Sequence, residues 1–288
     1  MIKNRNLRII YCLLLGVIVY ALYTRNEQYQ VIALHGVNSE EDYQLRVLIW
    51  NIHGTECLND GHQEAIAGLI VAQNADVVLL NEFTMSSCLL IDSLMSIHYP
   101  YTNVARAKVK SGDIIYSKIP FAESGRFKVK GLRKTIYSKI IVGADTVYIV
   151  GCHLAGNNNE GQIEIDDTDS LRKVKNFWGR YRRAQEKRKE HARLLKEIIQ
   201  NNSSPMIVMG DMNDFQHSAP MDSLRDAGMK NAWWEGGLGY GATYHQGLLR
   251  LRIDHIYCNN KLTLRNVKVV ETNLSDHNIM TADLSIAK

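Results

Sequence analysis

Two apolar runs of strand length constrain the fold of this 288-residue chain most strongly. They are LRVLIWNI, residues 45–52, and DVVLLNE, residues 76–82, and both are almost continuously apolar. Such runs are typical of strands that are buried on both faces. Between them, EAIAGLIVAQN has Ile66, Leu69 and Ile70 at helical spacing. A strand, a helix and a second strand in close succession predict a βαβ unit with two parallel strands.

The later part of the chain has a more antiparallel character. YSKIIV and TVYIVGCHL are separated by Gly143-Ala144-Asp145, which predicts a β-hairpin. A basic helix is expected to end near Gln200. With 45% hydrophobic and 22% charged residues, the composition is that of a globular protein, so we expect one mixed α/β domain over residues 45–288. Further strands are predicted at GDIIYSKIPF, PMIVMGD, RLRIDHIYC, KLTLRNVKVV and NIMTADLSI.

The N-terminus differs in character from the rest of the chain. Residues 1–8 form a basic flank, and residues 9–24 form an uncharged apolar run, IIYCLLLGVIVYALYT. This pattern predicts a signal anchor or transmembrane helix, or a cleaved signal peptide. Because no small-x-small cleavage site follows, we favour a membrane anchor with residues 45–288 outside the cytoplasm over a secreted or periplasmic protein. Residues 25–44 are polar and are expected to form a linker.

Four cysteines lie outside the N-terminal segment, and their spacing fits no zinc motif. Cys152 and Cys258 lie in strand-like apolar runs and are expected to be buried thiols. Cys57 and Cys88 lie in loops that we predict at the same end of a sheet. If the domain is exported, a Cys57–Cys88 disulfide is a reasonable hypothesis.

Polar side chains stand at the ends of several buried runs. At such positions a rigid scaffold can direct polar groups into a shared cleft. Each position alone is more often a solvated loop residue, but together they supply oxygen ligands and two imidazoles with few thiols. This set suits Mg²⁺, Mn²⁺ or Ca²⁺ better than zinc. The residues are Asn51, Glu82, His153, Asp211, Asn213, Asp276 and His277.

Six short motifs follow one another in a fixed order: WNIHG, LLNEF, GCHL, GDMND, RIDHIY and SDHNI. Each alone is weak, whereas GDxN followed by SDH, with an upstream NE and RIDxI, is specific. From residue 45 to about residue 286 the chain resembles the endonuclease/exonuclease/phosphatase superfamily, with its deoxyribonuclease I-like fold, as a membrane-anchored, bacterial-type member. The resemblance implies an α/β fold, a four-layer sandwich of two packed, mixed and mostly antiparallel sheets flanked by helices. It places the site at one end of the sandwich.

The same resemblance implies a metal site. Glu82 would be the principal ligand and Asn51 would assist it. Asp276 would reach the same metal or a second position. The expected cofactor is Mg²⁺, with Mn²⁺ or Ca²⁺ as alternatives.

The catalytic roles are also implied by the resemblance. Asp211 would align or activate the water, Asn213 would donate to a phosphate oxygen, and His153 would contact the phosphate. Asp254 would orient His277 and should raise the pKa of this imidazole. Hydrolysis of a phosphodiester needs charge neutralisation and an aligned nucleophile, which this set can supply. The sequence leaves open whether His277 or Asp211 takes the proton of the water.

The substrate is constrained mainly by a basic segment. Residues 172–193 hold ten Lys/Arg and two acids, a net charge of +8, which leaves −4 for the rest because the whole chain carries +4. Such a segment would hold nucleic acid or an anionic lipid headgroup, or would form only a solvated helix face. We single out Arg180, Arg182 and Arg183 as candidate substrate-binding residues. The charge favours a nuclease-like phosphodiesterase.

Three other readings stay open. The first is a phosphomonoesterase, and the second is a phospholipid or sphingomyelin phosphodiesterase of the same superfamily. The third is a catalytically inactive, membrane-tethered binding module, which is disfavoured because no position in the constellation has lost its functional group. We expect a monomeric catalytic domain. Asp113 is either a polar group of the cleft or a turn residue, and Thr243 and Tyr244 have no assigned role.

Overall fold

The computed structural model describes residues 43–54, 60–104, 112–128, 131–157, 170–247 and 249–287. The predicted basic flank, the anchor and nearly all of the linker lie outside the described residues, and so does Cys57. The anchor and the Cys57–Cys88 disulfide therefore stay predictions. In the described part of the chain, no helix is both long and apolar enough to cross a membrane.

The described residues form fourteen strands and five helices. The strands are β1 Leu45–Asn51, β2 Val77–Phe83, β3 Tyr101–Val104, β4 Gly112–Ser117, β5 Phe121–Phe127, β6 Thr135–Val142, β7 Asp145–His153, β8 Met206–Asp211, β9 Lys230–Asn231, β10 Tyr244–Gln246, β11 Leu249–Leu251, β12 Asp254–Cys258, β13 Leu262–Val270 and β14 Ile279–Ile286. The helices are α1 Asp60–Ala72, α2 Leu89–His98, α3 Ser170–Gln200, α4 Ala219–Asp226 and α5 Ala232–Gly236.

The first sheet has six strands in the order β13-β14-β1-β2-β4-β3. Strands β1 and β2 are parallel, with Ile49 opposite Leu79, and α1 lies between them in the chain. The predicted βαβ unit is therefore confirmed. The remaining strand pairs of this sheet are antiparallel.

The second sheet has six strands in the order β5-β6-β7-β8-β12-β9. The predicted hairpin is confirmed, since β6 and β7 are antiparallel and Val142 pairs with Asp145 across a two-residue turn. Strands β7 and β8 are parallel, with α3 between them, which the sequence analysis did not predict. The long α3 supplies the crossover connection that a parallel pair requires.

One predicted strand is interrupted in the structure. RLRIDHIYC, read as a single strand, is divided between β11 and β12. Strand β11 pairs with β10 in a separate two-stranded sheet. The hydroxyl oxygen of Thr243 accepts hydrogen bonds from the backbone N–H groups of Ile253 and Asp254 at 3.1 and 3.0 Å, where the chain passes between the two sheets. The side chain of Thr243, from a segment before the break, therefore accepts the hydrogen bonds of the two backbone N–H groups there.

Three apolar clusters make a four-layer sandwich and explain why the central strands are continuously apolar. In β1, Ile49 points into the core between the sheets, and Trp50 packs on the outer face with residues of α1 and α2. In β8, Met209 faces the core between the sheets, and Val208 faces a third cluster with residues of α3 and α4. Each fully buried apolar side chain contributes about 1.5–3 kcal/mol to folding. The predicted fold class is confirmed.

The strand registers bring polar residues to one end of this sandwich. Asn51 lies opposite Asn81 in the parallel pair β1–β2. Asp211 lies opposite His153 in the parallel pair β7–β8 and opposite Asp254 in the antiparallel pair β8–β12. The pairing itself therefore places these side chains at neighbouring positions.

Candidate active site

Asp211, the last residue of β8, is the buried centre of the polar cluster. Its Oδ2 accepts hydrogen bonds from Nδ2 of Asn51 at 3.0 Å and from Nδ2 of Asn213 at 3.1 Å. The Nε2 atoms of His153 and His277 lie 3.4 and 3.9 Å from the same oxygen. Burial, followed by the neighbouring Asp254 carboxylate, raises the pKa of Asp211 above the ordinary carboxyl range. This carboxylate therefore holds a proton more readily than an exposed aspartate does.

His277 and Asp254 form a buried pair beside it. Nδ1 of His277 lies 2.8 Å from Oδ2 of Asp254. The backbone N–H of His277 donates to Oγ of Ser275 at 3.1 Å, and its carbonyl accepts from Nε1 of Trp50 at 2.9 Å. Burial acts to lower the pKa of His277, but the Asp254 charge and hydrogen bond outweigh it and raise the pKa to about 10. The predicted direction is confirmed, and His277 is an imidazolium at neutral pH.

His153, the second imidazole, has the opposite charge state. Nη1 of Arg133 lies 2.5 Å from Nδ1 of His153, so this nitrogen accepts and the ring proton is on Nε2. Burial, and then the cations of Arg133 and His277, lower the pKa of His153 well below its ordinary value. Its Nε2 lies 3.4 Å from Oδ2 of Asp211 and 3.7 Å from Oε1 of Glu82. His153 is therefore a neutral hydrogen-bond donor aimed into the site.

Glu82 is held in an unusual backbone conformation. Its φ is 59°, and the pairing of β2 with β4 shifts register between Leu80 and Phe83. Positive φ in a residue other than glycine costs on the order of 1–3 kcal/mol, so the surrounding structure enforces it. The carboxylate is 24% exposed, and Nη1 of Arg133 lies 3.9 Å from Oε1. The irregular backbone therefore turns a carboxylate of a buried strand towards the open side of the cluster.

The oxygen atoms of Glu82 and of nearby residues are of the kind that bind a hard divalent cation. The Glu82 carboxylate lies beyond hydrogen-bond distance of both His153 and Arg133. Oδ1 of Asn51 accepts from the backbone N–H of His53 at 3.1 Å, which leaves a second lone pair. Asp276 is 34% exposed, and its Oδ1 lies 3.7 Å from Nδ1 of His53. Carboxylate and amide oxygens are the ligands that Mg²⁺, Mn²⁺ and Ca²⁺ take in proteins.

A second group of atoms is compact enough for a metal but fits one less well. One ligand atom each from Asp211, Asp254 and His277 lie within 4.8 Å of one another. However, His277 shares a hydrogen bond with Asp254 and is held protonated. A protonated imidazole has no lone pair for a metal. Glu82, Asn51 and Asp276 therefore stay the predicted ligand set.

Asn213 supports the Asp211 carboxylate in this structure, and its implied contact with a phosphate oxygen stays a prediction. Its Nδ2 donates to the carbonyl of Leu154 at 3.2 Å and to Oδ2 of Asp211 at 3.1 Å, so both amide hydrogens have acceptors. Its backbone N–H donates to Oδ1 of Asp211 at 2.8 Å, and its φ is 53°. In this structure Asn213 orients the Asp211 carboxylate. Donation to a phosphate oxygen would need one amide hydrogen to leave its present acceptor.

A buried polar layer behind the site answers the question about Asp113. Nδ2 of Asn81 donates to Oδ1 of Asp113 at 2.8 Å, and Oδ1 of Asn81 accepts from the backbone N–H of Asp211 at 2.9 Å. Asp113 is buried in β4, and burial raises its pKa to about 6. Asp113 is therefore a polar group behind the cleft and not a turn residue. Asn81 joins the two sheets through side-chain hydrogen bonds.

Three further residues support the site without having been assigned to it. Thr243 holds the backbone of Asp254, as described above, and the Tyr244 ring packs edge-on against His277 with centroids 5.0 Å apart. Arg133 was missed altogether. It lies in the polar GLRK stretch, where nothing in the sequence separates it from Lys134.

The basic helix divides the candidate substrate-binding arginines. Arg180 and Arg183 line a cavity beside the site, whereas Arg182 is exposed and does not line it. Arg188 of the same basic segment is fully buried, and its Nε and Nη2 donate to the carbonyl of Ala155 and to Oδ1 of Asn157, each at 2.7 Å. Arg188 therefore serves the fold and does not add to the surface charge.

Solved structures share this fold at low sequence identity. D. rerio TDP2 complexed with single-strand DNA product has a TM-score of 0.65 at 16% identity, over 85% of this chain and 100% of that one. The human nocturnin catalytic domain with bound sulfate has a TM-score of 0.63 at 16% identity, over 85% and 94%. An endonuclease/exonuclease/phosphatase from Beutenbergia cavernae has a TM-score of 0.63 at 17% identity, over 85% and 72%. No curated protein sequence matches the chain significantly.

The family assignment rests on the sequence match and agrees with the geometry. Residues 48–277 match the Endonuclease/Exonuclease/phosphatase family. This range contains every residue of the candidate site, from Asn51 to His277. Asp211 lies close to Asn51, Asn213, His153 and His277, while Glu82 lies 3.7 Å from His153 and Asp254 lies 2.8 Å from His277. Asp276 precedes His277 in the chain and lies 3.7 Å from His53. The chain therefore belongs to the Endonuclease/Exonuclease/phosphatase family and is a hydrolase that acts on phosphoester bonds with a divalent metal ion.

Proposed function

We propose that the chain is a nuclease-like phosphodiesterase, in which water attacks the phosphorus with the help of a divalent metal ion. One observation carries the proposal: Oδ2 of Asp211 lies between a neutral imidazole at 3.4 Å and a charged one at 3.9 Å. A phosphodiester repels an incoming nucleophile because its oxygens are negative. A site for its hydrolysis needs a fixed cation, a hydrogen-bond donor and a proton acceptor together, which is this arrangement.

Glu82 and Asn51 would hold the metal ion, with Asp276 as a further ligand, and Mg²⁺ is the expected species. When bound, such an ion neutralises charge on the phosphate oxygens and stabilises the leaving oxygen.

Asp211 is the general base in this proposal. His277 already carries both ring protons at neutral pH, so it cannot take another. Asp211 has a raised pKa, and Asn51 and Asn213 fix the orientation of its Oδ2. The proton of the attacking water therefore passes to Asp211. Of the two bases that the sequence left open, we therefore propose Asp211.

Three donors remain for the phosphate and the leaving group. His277 carries a proton on Nε2 because its Nδ1 donates to Asp254. His153 also carries its proton on Nε2, since Arg133 occupies Nδ1. Arg133 is 44% exposed and offers its other guanidinium N–H groups to an anion. These groups are positioned before the substrate binds, so little reorganisation is needed as charge develops.

The nuclease-like substrate rests on two supporting observations. The basic residues of α3 border the site, and such residues bind the phosphates of nucleic-acid strands. In addition, the fold is shared by TDP2, which was solved with a single-strand DNA product. A phosphomonoesterase and a lipid phosphodiesterase are the competing readings within the family.

The test is a substrate panel run on the full chain with Mg²⁺. It contains a single-stranded oligonucleotide, plasmid DNA, RNA, bis(p-nitrophenyl) phosphate, sphingomyelin and inositol phosphates, with His277→Ala as control. We expect hydrolysis of nucleic acid and of the aryl diester, lost in the variant. Turnover of sphingomyelin or inositol phosphates alone would replace the nuclease reading. No turnover of any substrate would favour the inactive binding module.

We also propose that residues 9–24 anchor the protein in a membrane with residues 45–288 outside the cytoplasm. The support is the basic flank and the apolar run in the sequence. The full chain should stay with membranes through an alkaline wash, whereas a chain beginning at residue 26 should not. Release of both by the wash would refute the anchor, and a shortened mature N-terminus would indicate the cleaved alternative.

A further inference from the structure

The cavity that Arg180 and Arg183 line lies directly beside the site, between α3, the loop before β6 and the segment that follows β7. Its volume is about 180 Å³. Four cationic side chains contribute to its walls: Arg133, Arg180, Arg183 and Lys187. No Asp or Glu is among the described residues that line it. Four cations around one small space produce a positive electrostatic potential there, and this potential attracts an anion.

Buried contacts fix the walls of this cavity. The buried guanidinium of Arg188 donates to the carbonyl of Ala155 and to Oδ1 of Asn157, and both of these residues line the cavity. On the opposite side, Nε2 of His191 lies 2.7 Å from Oγ1 of Thr135, and both residues are buried. These contacts fix α3 against the two wall segments. The wall segments that carry the cationic side chains are therefore fixed relative to one another.

Arg133 joins the cavity to the candidate active site. Its Nη1 contacts Nδ1 of His153, and its side chain also lines the cavity. Ala155 and Gly156 of the wall follow His153 closely in the chain. An anion in the cavity would therefore sit next to the phosphate that the site hydrolyses.

We propose that this cavity binds a second phosphate group of the substrate, the neighbour of the scissile phosphate in a single strand of nucleic acid. The inference rests on the proposed phosphodiesterase function and assigns its substrate class. Guanidinium groups of arginine bind phosphate through paired N–H donors, which fits Arg180 and Arg183. A strand of nucleic acid supplies such a second phosphate next to the scissile one.

The test is a comparison of binding and hydrolysis for two oligothymidylates. One is a dinucleotide with a single phosphodiester, and the other is a trinucleotide with two. Binding of the fluorescently labelled strands to the full chain is measured by anisotropy with EDTA present, so that it does not depend on metal or turnover. Hydrolysis with Mg²⁺ is measured separately, with bis(p-nitrophenyl) phosphate as a substrate that has one phosphate. The variants are Arg180→Ala and Arg183→Ala, and the matched control is Arg193→Ala, an exposed position on the same helix outside the cavity.

We expect the native chain to bind the trinucleotide about tenfold more tightly than the dinucleotide, the value of one charge-assisted hydrogen bond. Arg180→Ala and Arg183→Ala should each remove most of this difference, because they weaken binding of the trinucleotide more than binding of the dinucleotide. Arg193→Ala should keep the difference. Equal binding of both strands by the native chain would overturn the inference, and so would an equal loss for both strands in the variants.

The two proposals fail separately. The native chain could bind the trinucleotide more tightly and yet hydrolyse neither strand nor the aryl diester. The second-phosphate proposal would then stand, and the phosphodiesterase proposal would fail. If the chain hydrolyses both strands and the aryl diester but binds both strands equally, the phosphodiesterase proposal stands and the second-phosphate proposal fails. Melting temperatures of the variants show whether each is folded.

Discussion

At the scale of single residues, two histidines of the same cluster are set to different charge states. Burial and then Arg133 favour the neutral form of His153, whereas Asp254 outweighs burial and favours the charged form of His277. A carboxylate, Asp254, faces Nδ1 of His277, whereas a guanidinium, Arg133, faces Nδ1 of His153. The pKa of His277 is raised to about 10, and the pKa of His153 is lowered well below its ordinary value. The site therefore offers a cation and a neutral donor to the same phosphate over the physiological pH range.

Asp254→Asn tests the charge of His277. Without the carboxylate, burial dominates and the pKa of His277 falls below its value of about 10. The imidazolium is then lost as the pH rises through neutrality, which it is not in the native chain. We expect kcat to fall on the order of 10²–10³-fold at pH 8. Part of this loss should be recovered at pH 6, as seen in a pH–rate profile. A variant whose profile between pH 6 and 8 parallels that of the native chain would contradict the assignment.

At Gly210, which precedes Asp211, the backbone conformation and the surrounding atoms leave room only for glycine. Its φ is +148°, and a Cβ there would lie 1.8 Å from the carbonyl oxygen of Cys152. Gly210→Ala should lower the free energy of unfolding by about 3 kcal/mol or more, measured by urea denaturation. Gly143→Ala is the control, because Gly143 has φ +62° with open space around it. That change should cost only about 1–2 kcal/mol. Similar losses for both variants would rule out the close approach as the cause.

At the scale of elements, α3 combines three uses of basic and titratable residues. Its exposed side carries cations, its middle lines the cavity with Arg180 and Arg183, and its inner face buries Arg188 and His191. The helix is the crossover that makes β7 and β8 parallel, so it also holds His153 beside Asp211. One helix therefore connects the fold, the catalytic cluster and the cavity.

The buried His191 makes stability depend on pH. Burial, and then Arg133, lower its pKa from 6.5 to about 4, so the folded state favours the neutral imidazole. In the unfolded chain it protonates near pH 6.5. The stabilisation is therefore complete above pH 6.5 and is lost as the pH falls towards 4, at about 1.4 kcal/mol per pH unit. His255 shifts in the same direction, also to about 4. Between pH 7 and 5 the urea midpoint of the native chain should fall more, or rise less, than that of His191→Gln. The raised pKa values of Asp113 and Asp211 act in the opposite direction, but they do so in both proteins. An unchanged slope in this variant would show that His191 is not the titrating group.

At the scale of the whole molecule, the candidate site and the cores are separate. The three apolar clusters fill the space between the sheets and beneath the helices. The site lies where the ends of β1, β2, β7, β8 and β12 meet, and its ligand oxygens are partly exposed at Glu82 and Asp276. A metal ion at this edge is therefore needed for chemistry but not for closing the core.

Metal removal should separate activity from folding. EDTA should abolish hydrolysis of bis(p-nitrophenyl) phosphate while the circular dichroism spectrum stays native. The lost stability should not exceed about 3 kcal/mol, the value for a ligand at a hundredfold excess over its Kd. Added Mg²⁺ should restore activity. Unfolding in EDTA at room temperature would make the metal structural, and full activity in EDTA would exclude metal-assisted attack.

Much of this protein was determined by local sequence. The continuous apolar runs predicted the buried strands β1, β2 and β8, because both faces of each strand are covered, by the opposite sheet on one side and by helices on the other. The ordered motifs contained Asp211 and the four residues that surround its carboxylate: Asn51, Asn213, His153 and His277. The pKa direction of His277 also followed from sequence reasoning, since it needed only the proximity of Asp254. In each case the information lies in a short segment.

What only the tertiary structure decided depends on residues far apart in the chain. Arg133 lies in an undistinguished polar loop, and its effect on His153 arises because sheet pairing brings β6 beside β7. Arg188 has the sequence context of a surface cation but is buried, since α3 packs over the segment after β7. The charge state of a side chain, and whether a cation faces water, a cavity or the core, are set by its neighbours in space. Spacing along the chain does not encode those neighbours.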